Sequence, residues 1–221
     1  DVIGVGMLGP TLIAHGSEEQ KQRHLGPMLT ADEVWCQLFS EPAAGSDLAA
    51  VQTRARLEDD GSWVLNGQKV WTTNAQFASF GLLLARTDPE QHKHKGLTMF
   101  VVPMDAPGVT VRGLRQISGE AEFNEVFFDD VRLPADAVVG QVNDGWRTAL
   151  TTLMFERVTI GLGTDGLGYK EDRFARAIAC RSTYGPWRAA WKRSATRSSI
   201  AARSSPDWPL GERAGGWTAR K

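Results

Sequence analysis

Apolar positions in the first thirty residues recur at helical spacing: Met7, Leu8, Leu12 and Ile13 pair up one turn apart, and a polar stretch, Ser17-Glu18-Glu19-Gln20-Lys21, interrupts them. Ser17 as N-cap, with Gln20 three positions on, completes a capping box, so residues 4–29 are predicted as two helices and a turn. From Trp35 to about Leu133 the pattern changes to short runs bounded by turn residues, the signature of an antiparallel β-domain. Val51, Thr53, Ala55 and Leu57 alternate with Gln52, Arg54, Arg56 and Glu58, which gives one buried face and one wet face. Asp60-Gly61 before 62–65 and Asn66-Gly67 before 68–73 read as hairpin turns. The continuous apolar run 79–86 suits a central strand, and 97–102, 109–112 and 122–128 complete a sandwich or distorted barrel. The expected class is α+β.

A polar loop, 140–145, precedes a helix starting near Trp146. On a wheel of 146–160, Trp146, Ala149, Leu150, Leu153 and Ile160 share one face, with Arg157 inside that stripe and Glu156 on its shoulder. An Arg among apolar neighbours must be paired or bound to an anion, because an unpaired buried charge costs several kcal/mol or more. Glu156 and Arg157 therefore read either as an ion pair that docks the helix or as functional groups. Asp129 and Asp130 are adjacent, so they do not converge on one substrate atom; they read as turn residues. His92-Lys93-His94-Lys95 lacks nearby third and fourth metal ligands and reads as a solvated loop, while His15 and His24 are isolated.

The 221 residues are 42% hydrophobic with a formal net charge of −1, enough for a sizeable core and against a nucleic-acid or anionic-membrane surface over the whole chain. Cys36 and Cys180 form no C-x-x-C motif, which fits a reducing, cytoplasmic setting. No apolar run approaches the roughly 20 residues of a transmembrane helix, and no basic region followed by an apolar core opens the chain. A soluble, unexported protein is expected.

Residues 35–47, W-C-Q-L-F-S-E-P-A-A-G-S-D, start as a strand and break at Pro42 into a small-residue turn in which Gly45 can take positive φ. The turn's amides, with the hydroxyls of Ser40 and Ser46, form a donor-rich concavity suited to phosphate or carbonyl oxygens; an ordinary strand-to-strand turn uses the same amino acids. A second stretch, N-G-Q-K-V-W-T-T-N at 66–74, carries Trp71, Thr72 and Thr73. Together, S-E-P-x-x-G-S-D and N-G-x-K-x-W-x-T-N closely resemble the acyl-CoA dehydrogenase family, in which these segments form the flavin wall of a central β-domain.

The resemblance implies FAD as cofactor, with Ser40 on the flavin pyrimidine edge and Gln37, Leu38 and Phe39 as neighbours. It implies that Gly45 and Ser46 line the FAD pyrophosphate and the acyl-CoA, that Trp71 packs on the isoalloxazine beside Thr72, and that Thr73 bonds near N5. F-E-R-V at 155–158 resembles the helix of isovaleryl- and long-chain-type members, in which the Glu before the Arg is the catalytic base. Glu156 is then the base, with Arg157 beside the substrate. R-S-T-Y-G at 181–185 resembles the R-x-x-F-G element, whose Arg and nearby hydroxyl, here Arg181 and Thr183, reach the FAD pyrophosphate of a neighbouring subunit. The implied reaction oxidises an acyl-CoA to a trans-2-enoyl-CoA, with electron-transfer flavoprotein as acceptor and a homo- or hetero-oligomer as the complete form. The implied domains are the end of an N-terminal helical domain (1–34), a flavin- and acyl-CoA-binding β-domain (35–138) and the start of a C-terminal helical domain (139–185).

Both ends of a complete member are expected to be missing, and with them the downstream base that most of the family carries. Residues 186–221 hold eight Lys or Arg against Asp207 and Glu212, four tryptophans, and no helical stripe. They read as an unstructured basic tail, either out-of-frame translation or a Trp-dotted segment for an anionic surface. Two functions follow: an incomplete acyl-CoA dehydrogenase, or a non-catalytic remnant or partner subunit that holds FAD weakly.

Overall fold

The computed structural model describes residues 2–161. A π-helical turn, Gly4–Leu8, runs into α1 (Gly9–His15), and α2 spans Glu18–Thr30. The α2 start is the predicted capping box: the Gln20 amide donates to the Ser17 hydroxyl at 3.2 Å, and the Ser17 amide donates to the Gln20 side-chain oxygen at 3.1 Å. Gln20 also donates to the carbonyls of Asp136 (2.7 Å) and Val138 (3.0 Å), so the cap that starts α2 anchors it to the sheet.

Eight strands follow: β1 (Trp35–Leu38), β2 (Arg54–Leu57), β3 (Trp63–Thr73), β4 (Phe80–Arg86), β5 (Leu97–Pro103), β6 (Val109–Leu114), β7 (Phe123–Leu133) and β8 (Val138–Val139). They form one sheet in the order β6-β7-β3-β2-β4-β5-β8, with β1 also on β4. The pairing is mixed and not purely antiparallel, since both β1 and β2 run parallel to β4. The run predicted as a central strand is β4, buried along its middle and flanked by β5 on one edge and by β1 and β2 on the other. Leu65, Val126, Phe128 and Val131 from the β3–β7 half share a core with Leu83, Ala85, Phe100 and Val102 from the β4–β5 half. Trp63 meets Phe100 edge-on, with ring centroids 5.2 Å apart.

Two turn predictions fail for one reason, the length of the β3–β7 pairing. Asn66-Gly67 makes no hairpin, because the residues before and after it both pair with β7. Leu65 opposes Val131 and Gly67 opposes Phe128, so Asp129 and Asp130 together face Asn66 in a β-bulge inside β7 and not in a turn. The Asn66 side chain closes the bulge, donating to Asp130 Oδ1 at 2.9 Å and accepting from the Asp130 amide at 3.1 Å.

Helix α3 (Gly145–Gly161) lies on β5 and on the first helical segment by only part of the predicted face: Ala149 is buried and Trp146 and Leu153 are half-buried, but Leu150 is exposed. Thr148, Ala149, Thr152 and Thr159 are buried, whereas Leu150, Met154, Val158 and Arg157 are exposed. The inward hydroxyls are satisfied: Thr152 meets the Thr11 hydroxyl at 3.0 Å, and Thr159 donates to the Gly6 carbonyl at 3.1 Å. Threonines whose hydroxyls find partners can face inward. Arg157 therefore needs no buried counter-ion.

Candidate functional site

A tight turn follows β1 at Pro42, closed by backbone bonds. Glu41 and Ala44 exchange backbone hydrogen bonds at 2.8 and 3.1 Å, closing a tight loop over Pro42-Ala43. Beyond it Gly45, Ser46 and Asp47 are exposed, and among the described residues their amides donate to no protein acceptor. Gly45 does not adopt positive φ; a Cβ added there meets nothing within 4 Å, so the turn faces open space. The amides of Gly45, Ser46 and Asp47 and the Ser46 hydroxyl are thus exposed donors. The ammonium of Lys93 donates to both Asp47 oxygens at 3.0 Å, tying the His92–His94 loop to this turn.

A main-chain hydrogen bond joins the second motif to the first, from the Val70 amide to the Ser40 carbonyl at 2.9 Å. At this point β3 itself bulges: Lys69 opposes Val126 and Thr72 opposes Asn124, so Val70 and Trp71 together face Glu125. The bulge puts Trp71 at φ 58° and leaves it 62% exposed, its ring edge-on to Phe123 at 6.0 Å. A bulky residue in the left-handed region costs about 1–2 kcal/mol, and an exposed indole recovers little of that by burial. Such strain collects at functional sites. Thr73 is half-buried beside it. Thr72 is buried, and its hydroxyl has no hydrogen-bond partner among the described residues.

Of the four residues leading into the turn, Leu38 and Phe39 are buried in the core, so only Gln37 and Ser40 present side chains toward the surface. Gln37 reaches α3, donating from Nε2 to Glu156 Oε2 at 3.2 Å. The structure thus brings Glu156 of α3 to Gln37, and Val70, the neighbour of Trp71, to Ser40. Arg157 points to solvent instead. Arg181 and Thr183 lie outside the described residues, as does the basic tail.

Sequence reasoning missed the pair beneath the turn. Lys69 is fully buried, and its ammonium donates to the Phe39 carbonyl (2.9 Å), Glu41 Oε1 (2.8 Å) and the Leu84 carbonyl (2.8 Å). Glu41 also accepts from the amides of Gln52 (2.6 Å) and Thr53 (3.0 Å). Burial pulls the Lys69 ammonium down to about 8, although Glu41 opposes the shift. Burial also pushes the Glu41 carboxyl up, but Lys69 and the donated hydrogen bonds outweigh it and hold the group below its ordinary value. The signal was in the alternation of β3, which places Lys69 on the same face as Trp63 and Leu65.

Residues 36–131 match the family described as acyl-CoA dehydrogenase, middle domain. Acyl-CoA dehydrogenase IpdE1 of Mycobacterium tuberculosis is 53% identical over 160 residues, covering 72% of this chain and 41% of that protein. The solved structure of the Tcur3481-Tcur3483 steroid ACAD is 34% identical with a TM-score of 0.67, over 90% of this chain and 52% of that one. A glutaryl-CoA dehydrogenase from Mycobacterium smegmatis, solved in complex with FADH2, is 34% identical with a TM-score of 0.62, over 70% of this chain and 39% of that one. The chain belongs to the acyl-CoA dehydrogenase family, and it spans about half or less of the length of these relatives. Among the described residues no helix is long and apolar enough to cross a membrane.

Proposed function

We propose that this chain carries the flavin wall and the catalytic base of an FAD-dependent acyl-CoA dehydrogenase, which converts an acyl-CoA to its trans-2-enoyl-CoA. The observation that carries the reading is the Val70–Ser40 hydrogen bond, which ties the residue that leads into the turn to the neighbour of a strained, outward-facing tryptophan. These residues fit the cofactor. Trp71 offers a flat apolar face for a tricyclic ring, with the Ser40 and Thr73 hydroxyls as donors at its polar edges. The Gly45, Ser46 and Asp47 amides and the Ser46 hydroxyl suit pyrophosphate or thioester oxygens. Bound there, FAD supplies the acceptor for the hydride that leaves the β-carbon.

The chain's own part in the chemistry is proton removal and orientation. Glu156 takes the α-proton of the thioester, and the Gln37 amide holds its carboxylate in place. Donors on the thioester carbonyl stabilise the enolate character that develops as the proton leaves. Arg181 and Thr183 would complete the pyrophosphate site of a neighbouring subunit, and an electron-transfer flavoprotein is the partner for reoxidation. The test is the visible spectrum of the chain with FAD, followed by acyl-CoA addition. Bleaching that Glu156→Gln abolishes supports the proposal, while bleaching that survives this substitution removes Glu156 from the role of base.

One observation favours a second reading, a chain that binds flavin weakly without turnover. Leu150, Met154 and Val158 form an exposed apolar stripe on the helix that carries Glu156, being 44%, 64% and 49% accessible. Flavin binding without acyl-CoA bleaching would select that reading.

A further inference from the structure

A fully buried ionic pair, Lys69–Glu41, lies under the turn. Lys69 has three donors and all three are used, two of them on main-chain carbonyls, Phe39 just past the end of β1 and Leu84 in β4. Glu41 in turn fixes the amides of Gln52 and Thr53, so the pair ties together the end of β1, the approach to β2, β3 and β4. Replacing a buried ion pair by apolar side chains of similar volume is often neutral or stabilising, so burial alone does not account for it. Its place in the chain does. Ser40 lies between Phe39 and Glu41, both held by the Lys69 ammonium, and its own carbonyl is held by Val70, the residue after Lys69. Residues 39–47 are otherwise defined by the Glu41–Ala44 bridge and, at their far end, by the exposed Lys93–Asp47 pair and the bond from the Ala50 amide to the Asp47 carbonyl.

We propose that Glu41 and Lys69 are positioning residues for the cofactor turn: they fix the backbone on both sides of Ser40 and lock its register to the Trp71 bulge. The inference rests on the reading of this turn as the flavin site. A directional ion pair suits the task because its hydrogen bonds fix angles as well as distance, whereas an apolar pair fills the same volume and leaves the turn free to slide.

The experiment uses the full chain in four forms: parent, Lys69→Met, the neutral double variant Lys69→Met/Glu41→Gln, and Glu41→Asp, which keeps both charges and shortens one arm. Urea denaturation, FAD affinity and backbone 15N order parameters at 39–47 and 70–73 are measured for each. Lys69→Met strands a buried carboxylate and loses stability, and the double variant regains most of it. The double variant nonetheless shows lowered order parameters confined to the turn and the bulge, and FAD affinity about tenfold weaker, the loss expected when a ligand's hydrogen bonds are misaimed. Glu41→Asp, which keeps the fold, shows the same local loosening to a smaller degree. Unchanged order parameters and unchanged FAD affinity in a stable double variant, or in Glu41→Asp if the double variant does not fold, would show the pair to be structural only. If the parent takes up no FAD, the cofactor reading fails on that result, while the order parameters still decide whether the pair positions the turn.

Discussion

Helix α3 starts against bare backbone, and this makes Gly145→Ala the most informative single change. A Cβ at Gly145 would lie 2.7 Å from Thr98 C and Cα and 2.8 Å from Met99 N. Both residues are fully buried in β5 and have no room to retreat, so the helix must move instead. Reaching ordinary contact at 3.4 Å requires a lift of about 0.7 Å at the start of α3. The Gln37–Glu156 bond, at 3.2 Å, has only about 0.3 Å of slack before it ceases to be a hydrogen bond. The Thr152–Thr11 and Thr159–Gly6 contacts resist the same displacement. We expect a stability loss of about 1–3 kcal/mol in urea, the usual cost of overpacking. Exchange of the acyl-CoA α-proton with D2O, which reports the base directly, should fall on the order of 100-fold. Gly26→Ala, where an added Cβ meets nothing, is the control and should not lower stability. A Gly145→Ala protein within about 0.5 kcal/mol of the parent would refute the close docking of α3 on β5.

Gly67 has φ +151°, and a Cβ there would lie 2.6 Å from Thr53 Oγ1 and 2.7 Å from Thr53 Cα; Gly67→Ala should cost about 3 kcal/mol in urea, and Thr53→Ser should not rescue it. Lys69, held near 8 against an ordinary 10.5, binds fewer protons folded than unfolded between those values, so its contribution to stability rises with pH across that window; its 13Cε shift should titrate near pH 8. Glu41 has the same sense in a lower window: its contribution is present above its ordinary 4.5 and lost as pH falls through its lowered folded value, a loss that Glu41→Gln should remove from the acid limb of the stability curve. Arg157→Ala should change stability by less than about 0.5 kcal/mol, because the side chain is exposed; a loss above about 2 kcal/mol would reinstate a buried ion pair.

What could be read from sequence was mostly local. The Ser17–Gln20 box, the apolar run that became β4 and the start of α3 each depend on a few adjacent residues, and each is found where expected. The errors arose where a distant partner decided the outcome. Asn66-Gly67 has the chemistry of a hairpin turn, but β7, some sixty residues away, pairs with both of its flanks and makes a bulged strand instead. The helical wheel counted Leu150 and Leu153 as the inward face and gave no weight to threonine, whereas Thr11 and Gly6 supply the partners that let Thr152 and Thr159 go inside. The two cofactor motifs were legible as motifs, yet their junction at Ser40 and Val70, the outward turn of Trp71 and the ion pair beneath them are products of tertiary packing. Periodicity had the information to put Lys69 on the core side of β3 but not to name Glu41 as its partner.

The central claim is that the turn at 40–47 and the bulge at Trp71 together hold a flavin ring. It is tested most directly by titrating FAD into the chain and into Trp71→Ala while recording the visible spectrum. The account predicts saturable binding with a perturbed flavin band in the parent, weakened at least tenfold by the substitution, a difference of about 1.4 kcal/mol. A free-flavin spectrum up to about 1 mM FAD, or parent and Trp71→Ala curves that superimpose, would contradict it.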